Sequence, residues 1–205
     1  MFFSFDGLDG VGKTTQLRLF CQWLDAHGRT PVVCRDPGST PLGERVREIL
    51  LTSGEETPIA PRTEMLLYMA ARAQLVDEVI RPALAAGQTV VSDRFLLANI
   101  VYQGHAGGLD VASVRTVGQV ATAGVAPDCT FLLDMDPSTA HARIDRELDR
   151  MERRGDEFRR QLRDGFLAEA KQMGASVHVV DASRAIDAVH DEILAIAQQA
   201  LSGPG

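Results

Sequence analysis

Five short apolar runs punctuate the chain: Phe2-Phe3-Ser4-Phe5, Pro31-Val32-Val33-Cys34, Thr89-Val90-Val91-Ser92, Cys129-Thr130-Phe131-Leu132-Leu133 and Val177-His178-Val179-Val180. They are continuous rather than alternating, which predicts strands buried on both faces. Between them, apolar positions recur at helical spacing. Leu17, Phe20, Cys21 and Leu24 mark a helix from Thr15 to His27. Further helical segments are predicted near 41–52, 61–86, 111–124, 137–147, 155–174 and 184–201. Strands alternating with helices predict an α/β fold, a five-stranded parallel sheet with helices on both faces. Ligands of such sheets bind beyond the carboxyl ends of the strands. Each of those ends carries an aspartate: Asp6, Asp36, Asp93, Asp134 and Asp181. Aspartate is also a common helix cap and turn former. That role suits Asp134 and Asp181. It suits Asp93 less well, because Arg94 follows it directly.

Neither an internal repeat nor a low-complexity linker interrupts the pattern. The 205 residues are expected to fill one domain, 1–205. The tail Ser202-Gly203-Pro204-Gly205 is expected to fray.

Between the first strand and the first helix lies Gly7-Leu8-Asp9-Gly10-Val11-Gly12-Lys13-Thr14, the G-x-x-x-x-G-K-T spacing of a phosphate-binding loop. Glycines let the backbone turn tightly and aim its N–H groups inward at phosphate oxygens. The helix that begins there adds the positive end of its dipole. Lys13 reaches the β- and γ-phosphates, and the Thr14 hydroxyl is placed to ligate Mg²⁺. A glycine-rich turn without a ligand would not need all three fixed positions and both flanks to agree.

Composition narrows the partners. The net charge of −7 argues against a nucleic-acid surface. No apolar stretch approaches the ~18 residues of a membrane span, and the loop begins too early for a signal peptide to precede it. Cys21, Cys34 and Cys129 are isolated, which reads as buried reduced thiols and, with the rest, as a cytoplasmic chain. Lys13 and Lys171 are the two lysines; the other 19 of 21 basic residues are arginine. Eight of those lie between Arg143 and Arg163, a clustering that base composition does not explain.

Three classes carry such a loop. A GTPase would show N-K-x-D, but the single asparagine, Asn99, is followed by Ile100. A DNA-acting or transport ATPase would be larger, with a strand ending in Asp-Glu or Asp-x-x-Gly. A small kinase for a small acceptor remains. Phe5-Asp6-Gly7-Leu8-Asp9-Gly10-Val11-Gly12-Lys13-Thr14-Thr15-Gln16, Arg35-Asp36-Pro37-Gly38-Ser39-Thr40-Pro41-Leu42-Gly43-Glu44, Arg72-Ala73-Gln74, Asp93-Arg94-Phe95 and Tyr102-Gln103-Gly104 stand in an order and spacing that resembles the thymidylate kinase family. The resemblance covers nearly the whole chain. It implies a P-loop nucleoside monophosphate kinase fold with an Arg-rich lid at about 143–156. It also implies transfer of phosphate from ATP to dTMP with Mg²⁺, and a homodimer. Another nucleoside monophosphate or deoxynucleoside kinase is the alternative, and a non-catalytic ATP-binding switch a distant one. Four positions depart from the family pattern. Asp6 and Asp36 replace glutamates, Ser39 a glycine, and Ala98 a frequent serine.

The resemblance also distributes roles. Gly7, Gly10, Val11, Gly12, Lys13, Thr14 and Thr15 would hold ATP, with Thr15 on an α-phosphate oxygen. Asp93 would join Thr14 at Mg²⁺ through water. Arg94 would point at the acceptor phosphate, and Asp9 at the acceptor sugar and phosphate. Tyr68 and Arg72, spaced i, i+4 on one helical face, would stack the pyrimidine and bond its carbonyl. Asn99 and Tyr102 would meet base and sugar, with Asp36 and Gln103 in the same acceptor site and Gln74 a weaker candidate. Gly10 stands where one class of the family has an arginine; the other class supplies it from the lid. Glu147-Leu148-Asp149-Arg150 then singles out Arg150 as the lid finger, among the i, i+4 series Arg146, Arg150 and Arg154. Arg143 would stack on adenine, near Asp181-Ala182-Ser183. The catalytic set is Lys13, Arg94, Arg150 and Asp9.

Overall fold

A computed structural model describes residues 1–53, 56–145, 147 and 150–202. Arg146, Leu148, Asp149 and the tail 203–205 lie outside the described residues, so the expectations placed on them go unaddressed.

The first strand, β1 (Phe2–Gly7), is buried along its whole length. Its alternating side chains explain why both faces need cover. Phe3 and Phe5 turn to one side and meet Phe20 and Phe131 at centroid distances of 4.9–5.9 Å. Phe2 packs edge-on against Phe95 at 5.0 Å, in a separate cluster. The chain continues through α1 (Lys13–Ala26), β2 (Val32–Arg35), α2 (Pro41–Thr52) and α3 (Pro61–Leu75). A π-helical turn, Val76–Ile80, leads into α4 (Arg81–Ala85) and then β3 (Val90–Asp93). Next come α5 (Leu96–Asn99), a second π-helical turn at Ile100–His105, α6 (Val111–Thr122) and β4 (Cys129–Asp134). The chain closes with α7 (Pro137–Ala142), α8 (Gly155–Met173), β5 (Val177–Asp181) and α9 (Ile186–Ser202).

All five strands run parallel in the order β2-β3-β1-β4-β5. The chain leaves β1 toward one side, fills β2 and β3, and then crosses to β4. That reversal opens a crevice at the carboxyl end of β1, where the glycine loop sits.

The predicted helix 61–86 exists but is not uniform. Pro82 offers no N–H to the turn behind it, and the preceding turn widens to π geometry. The helix predicted over 137–147 ends at Ala142, and of the arginines spaced i, i+4 the two that are described lie outside any α-helix. Arg150 lies in a turn and Arg154 in a short 3₁₀ segment. Met151 between them is buried in the main core, so this stretch is no solvated helix. The segment 96–105 is helical, as the placement of Asn99 and Tyr102 on one helical face implies, though its bounds are not legible in the sequence. Its run Leu96-Leu97-Ala98-Asn99-Ile100-Val101 has no period to read, being buried on most sides.

Cys34 and Cys129 are buried and Cys21 partly so; burial pushes their thiols up to about 11 or 12, which leaves them inert. Of the strand-end aspartates, Asp181 is the expected turn former, accepting from the Ser183 amide at 3.0 Å. Asp134 is not. Both its oxygens take the Arg163 guanidinium of α8, at 2.8 and 2.7 Å, which ties that helix to the sheet.

Candidate active site

Gly12 caps α1 with φ 96°, a left-handed value that a side chain would strain. Among the described residues no side chain caps this helix, so its first amides are not taken up by a cap. Gly10 is constrained differently. At φ 85°, a Cβ there would stand 2.0 Å from the Ala140 carbonyl oxygen of α7. No side chain, an arginine included, would fit at position 10 with this backbone.

Lys13 is buried, and its Nζ donates to the carbonyls of Leu8 at 2.6 Å and Gly7 at 3.2 Å, with Asp9 Oδ1 at 3.5 Å. Burial, and then the neighbouring Arg94 charge, hold its pKa below the usual lysine range. The loop therefore keeps a cation whose solvation is poor until an anion arrives.

Asp9 joins the two halves of the site. Arg94 donates from Nη2 to Asp9 Oδ1 at 2.6 Å and from Nη1 to the Gly7 carbonyl at 3.0 Å. Tyr102 donates its hydroxyl to Asp9 Oδ2 at 3.2 Å, and the Arg94 guanidinium lies over the Tyr102 ring at 5.1 Å. Burial alone would raise the Asp9 carboxyl, but Arg94 and Lys13 outweigh it and hold it well below the usual carboxylate range. Arg94 itself sits at φ 68°, a left-handed conformation rare for a residue with a side chain. The local ion pair that Asp93 and Arg94 might have formed is absent among the described residues, since Arg94 turns to Asp9.

Asp93 Oδ1 is buried and has no hydrogen-bond partner. Thr14 is exposed in the first turn of α1. No cluster of three or more His, Cys, Asp or Glu side chains able to cage a metal exists among the described residues. One spare carboxylate oxygen and one hydroxyl suit Mg²⁺, which keeps waters and takes substrate phosphates as its other ligands.

On the donor side, Gly10, Val11, Gly12 and Thr15 share a cleft of about 410 Å³ with Arg143 and Ala182. Arg143 thus shares one cleft with Ala182, the middle residue of the 181–183 segment. Arg184, not foreseen, lines the same cleft.

On the acceptor side is a cavity of about 130 Å³. Asp9, Asp36, Tyr68, Arg72, Arg94, Asn99, Tyr102 and Gln103, the eight acceptor residues expected from the sequence, all line it. Arg72 is fully buried and donates through Nε to Asp36 Oδ2 at 2.5 Å. Gln74 does not line the cavity; it bonds Glu78 on an exposed surface. Pro37 and Leu51 also line the cavity, and the more telling residues that sequence reasoning missed are Arg47, Met151 and Glu64. Arg47 of α2 lines the cavity and donates to the Pro37 carbonyl at 3.1 Å; nothing in the sequence separates it from the exposed Arg45. Met151 contributes a wall from the lid. Glu64 lies four residues before Tyr68 and eight before Arg72, so helical spacing alone would have found it.

Arg150 is not at the glycine loop in this conformation. Its Nε donates to the Leu50 carbonyl at 2.9 Å and its Nη2 to Glu64 Oε2. Arg154 stacks on the Phe158 ring at 3.9 Å.

The two replaced glutamates share a consequence. Asp6 and Asp36 are both buried, and in each Oδ1 has no partner. Burial raises Asp6 from 3.8 to about 6, against Arg94 and a 2.8 Å bond from Ser4 Oγ. A carboxyl raised by folding stabilises the fold fully below its unfolded value and loses that contribution as pH rises through its folded value. Between about pH 4 and 6, Asp6 alone should thus cost on the order of 3 kcal/mol of stability. Urea unfolding from pH 4 to 8 should show this loss in the parent chain and not in Asp6→Asn. An unchanged slope in the variant would refute it.

Comparison with known proteins agrees with this geometry. The sequence model of the thymidylate kinase family matches residues 5–193. A thymidylate kinase of Bifidobacterium longum is 46% identical over 191 residues, 92% of this chain and 93% of its own. One from Caldanaerobacter subterraneus is 42% identical over 203 residues, 98% of this chain and 97% of its own. The crystal structure of thymidylate kinase from Ehrlichia chaffeensis superimposes with a TM-score of 0.79 at 31% identity, covering 97% of this chain and 98% of the other. A G-x-x-x-x-G-K-T loop that meets a second cavity across Asp9 and Arg94, and relatives matched over nearly their whole length, lead to one assignment: the chain belongs to the thymidylate kinase family.

Proposed function

We propose that the protein transfers the γ-phosphoryl group of ATP to the 5′-phosphate of dTMP, giving dTDP and ADP. The observation that carries this reading is the acceptor cavity. It meets the glycine loop at Asp9 and is lined by the buried guanidinium of Arg72 and by Asn99, whose buried Oδ1 has no hydrogen-bond partner among the described residues. A pyrimidine dione offers the complement, carbonyl oxygens flanking a ring N–H.

In this mechanism the amides of 10–15 and Lys13 hold the donor phosphates. Arg94 holds the acceptor phosphate, and Asp9, between Arg94 and Lys13, offsets the repulsion of the two cations and fixes both. An acceptor phosphate oxygen attacks the γ-phosphorus as the bond to ADP breaks. Such transfers depend on positioning and charge neutralisation, which is what these groups supply. Mg²⁺ at Thr14 and Asp93 would neutralise charge on the donor phosphates. Arg150 would have to exchange Glu64 for the transferring group in order to act as the lid cation. Tyr102, fixed by Asp9 and packed on Phe158 and Phe166, would disfavour a 2′-hydroxyl.

The chain would work in the cytoplasm as a homodimer. Leu66 on α3 and Val120 on α6, half and mostly exposed on two helices that pack together, support an apolar contact there. A sedimentation mass of one chain would remove the dimer. No helix among the described residues is long and apolar enough to cross a membrane.

Coupled ADP release with dTMP, dCMP, AMP and GMP tests the reading. Cytosine puts an amino group opposite Arg72, a donor facing a buried donor, at a cost of about 1–3 kcal/mol. dTMP should be turned over far faster than the others. Equal rates with dCMP would overturn the assignment.

A further inference from the structure

Glu64 is buried on α3, and each of its carboxylate oxygens is taken by a different element. Oε1 accepts from Gln103 Nε2 at 2.9 Å, and Oε2 accepts from Arg150 of the lid. Gln103 in turn accepts on Oε1 from Asn99 Nδ2 at 2.5 Å. Asn99 lines the acceptor cavity, and its Oδ1 is buried with no hydrogen-bond partner among the described residues. The three side chains therefore form a relay that runs from an acid at the lid to a bare acceptor at the acceptor cavity.

An amide can face either way, and nothing in Asn99 or Gln103 alone decides which end meets the base. The direction comes from the far end of the relay. A carboxylate paired with arginine can only accept. It compels Gln103 to point its NH₂ at Glu64 and its carbonyl at Asn99. Asn99 must then give its NH₂ to Gln103, which leaves its carbonyl oxygen for the ligand. Reversal of either amide would set donor against donor or acceptor against acceptor in a buried place.

We propose that Glu64 is a specificity-determining positioning residue. It sets the polarity of the Gln103–Asn99 relay so that the cavity offers an acceptor, which selects a base whose ring nitrogen carries a proton. A pyrimidine-2,4-dione has that N–H; cytosine has a lone pair at the same place. Glu64 does not touch the nucleotide. The inference rests on the proposed function, because it assumes that a pyrimidine monophosphate occupies the cavity.

Glu64→Gln keeps the shape and frees the polarity, because the new amide can donate to Gln103 and let both downstream amides turn over. The dTMP-to-dCMP ratio of kcat/KM should fall by about tenfold or more in Glu64→Gln, the size expected when one buried polar contact is mismatched. Glu64→Asp, which remains acceptor-only, should keep the ratio near that of the parent even if turnover drops. A purely structural role for Glu64 would lower both substrates together and leave the ratio alone. Should Glu64→Gln fail to fold, Glu64→Met with Arg150→Met replaces the ion pair by packed apolar groups, an exchange proteins often tolerate. That double variant is read by calorimetric binding of dTMP and dCMP, and the same loss of preference is expected. An unchanged ratio in folded Glu64→Gln or in the double variant overturns the inference. A parent chain that does not prefer dTMP overturns the functional reading itself, a separate result seen before any variant is made.

Discussion

Lys13→Ala is expected to abolish turnover in a chain that stays folded. The ammonium is buried against two carbonyls and beside Arg94, and its pKa is held down by that burial. Losing a poorly solvated charge should cost the fold little, and Lys13→Met, which keeps most of the packing, should cost it less still. Catalysis is another matter. As charge builds on the transferring phosphates, Lys13 is the group already aimed at them, and the loop has no arginine to take its place. Loss of one such fixed charge contact costs on the order of 10²–10³ in kcat, and more where no neighbour substitutes. Steady-state turnover beside a thermal melt checks both halves. Near-normal kcat in either folded variant would exclude the phosphate-loop mechanism.

Much of this site was legible because its chemistry is local in sequence. The glycine loop, the Asp93-Arg94 pair and the i, i+4 spacing of Tyr68 and Arg72 each lie within a few residues. The topology then had only to bring strand ends together, and the parallel order of the sheet does that. Connections spanning many residues were harder to read. The Glu64–Gln103 bond joins residues 39 apart, and the Arg150–Glu64 pair residues 86 apart. No periodicity encodes either. The lid shows the same limit. Its arginines at i, i+4 suggested one helical face, but Met151 is buried in the core, and Arg150 lies in a turn while Arg154 lies in a short 3₁₀ segment. Ser39, a departure from the family's glycine, holds φ 62°. It does so with its own bonds: Oγ accepts from the Arg35 amide at 2.9 Å and its amide donates to Glu44 at 2.6 Å. The short acids Asp6 and Asp36 found no such compensation, and each leaves an oxygen unpaired.

Arg94 should show the second large effect, and its backbone lets the role be separated from the fold. The side chain reaches Asp9 and the Gly7 carbonyl, between the loop and the acceptor cavity. Its removal takes away the cation expected to hold the acceptor phosphate and also frees Asp9 to draw Lys13 from the donor. Arg94→Ala should therefore lower kcat/KM for dTMP by on the order of 10³. Arg94→Lys should recover little, because a point charge cannot bridge a carboxylate, a carbonyl and a phosphate as a planar fork does. Stability should follow a different order. At φ 68° a residue with a Cβ pays about 1–2 kcal/mol, while glycine pays about 0.4–1 kcal/mol through its freer unfolded chain. Arg94→Gly should thus be more stable than Arg94→Ala by roughly 0.5–1 kcal/mol, although both are inactive. Denaturant midpoints and initial rates on the same two proteins decide it. An alanine variant at least as stable as the glycine one would deny the left-handed backbone at this position. A kcat/KM near that of the parent would deny Arg94 its place at the acceptor phosphate.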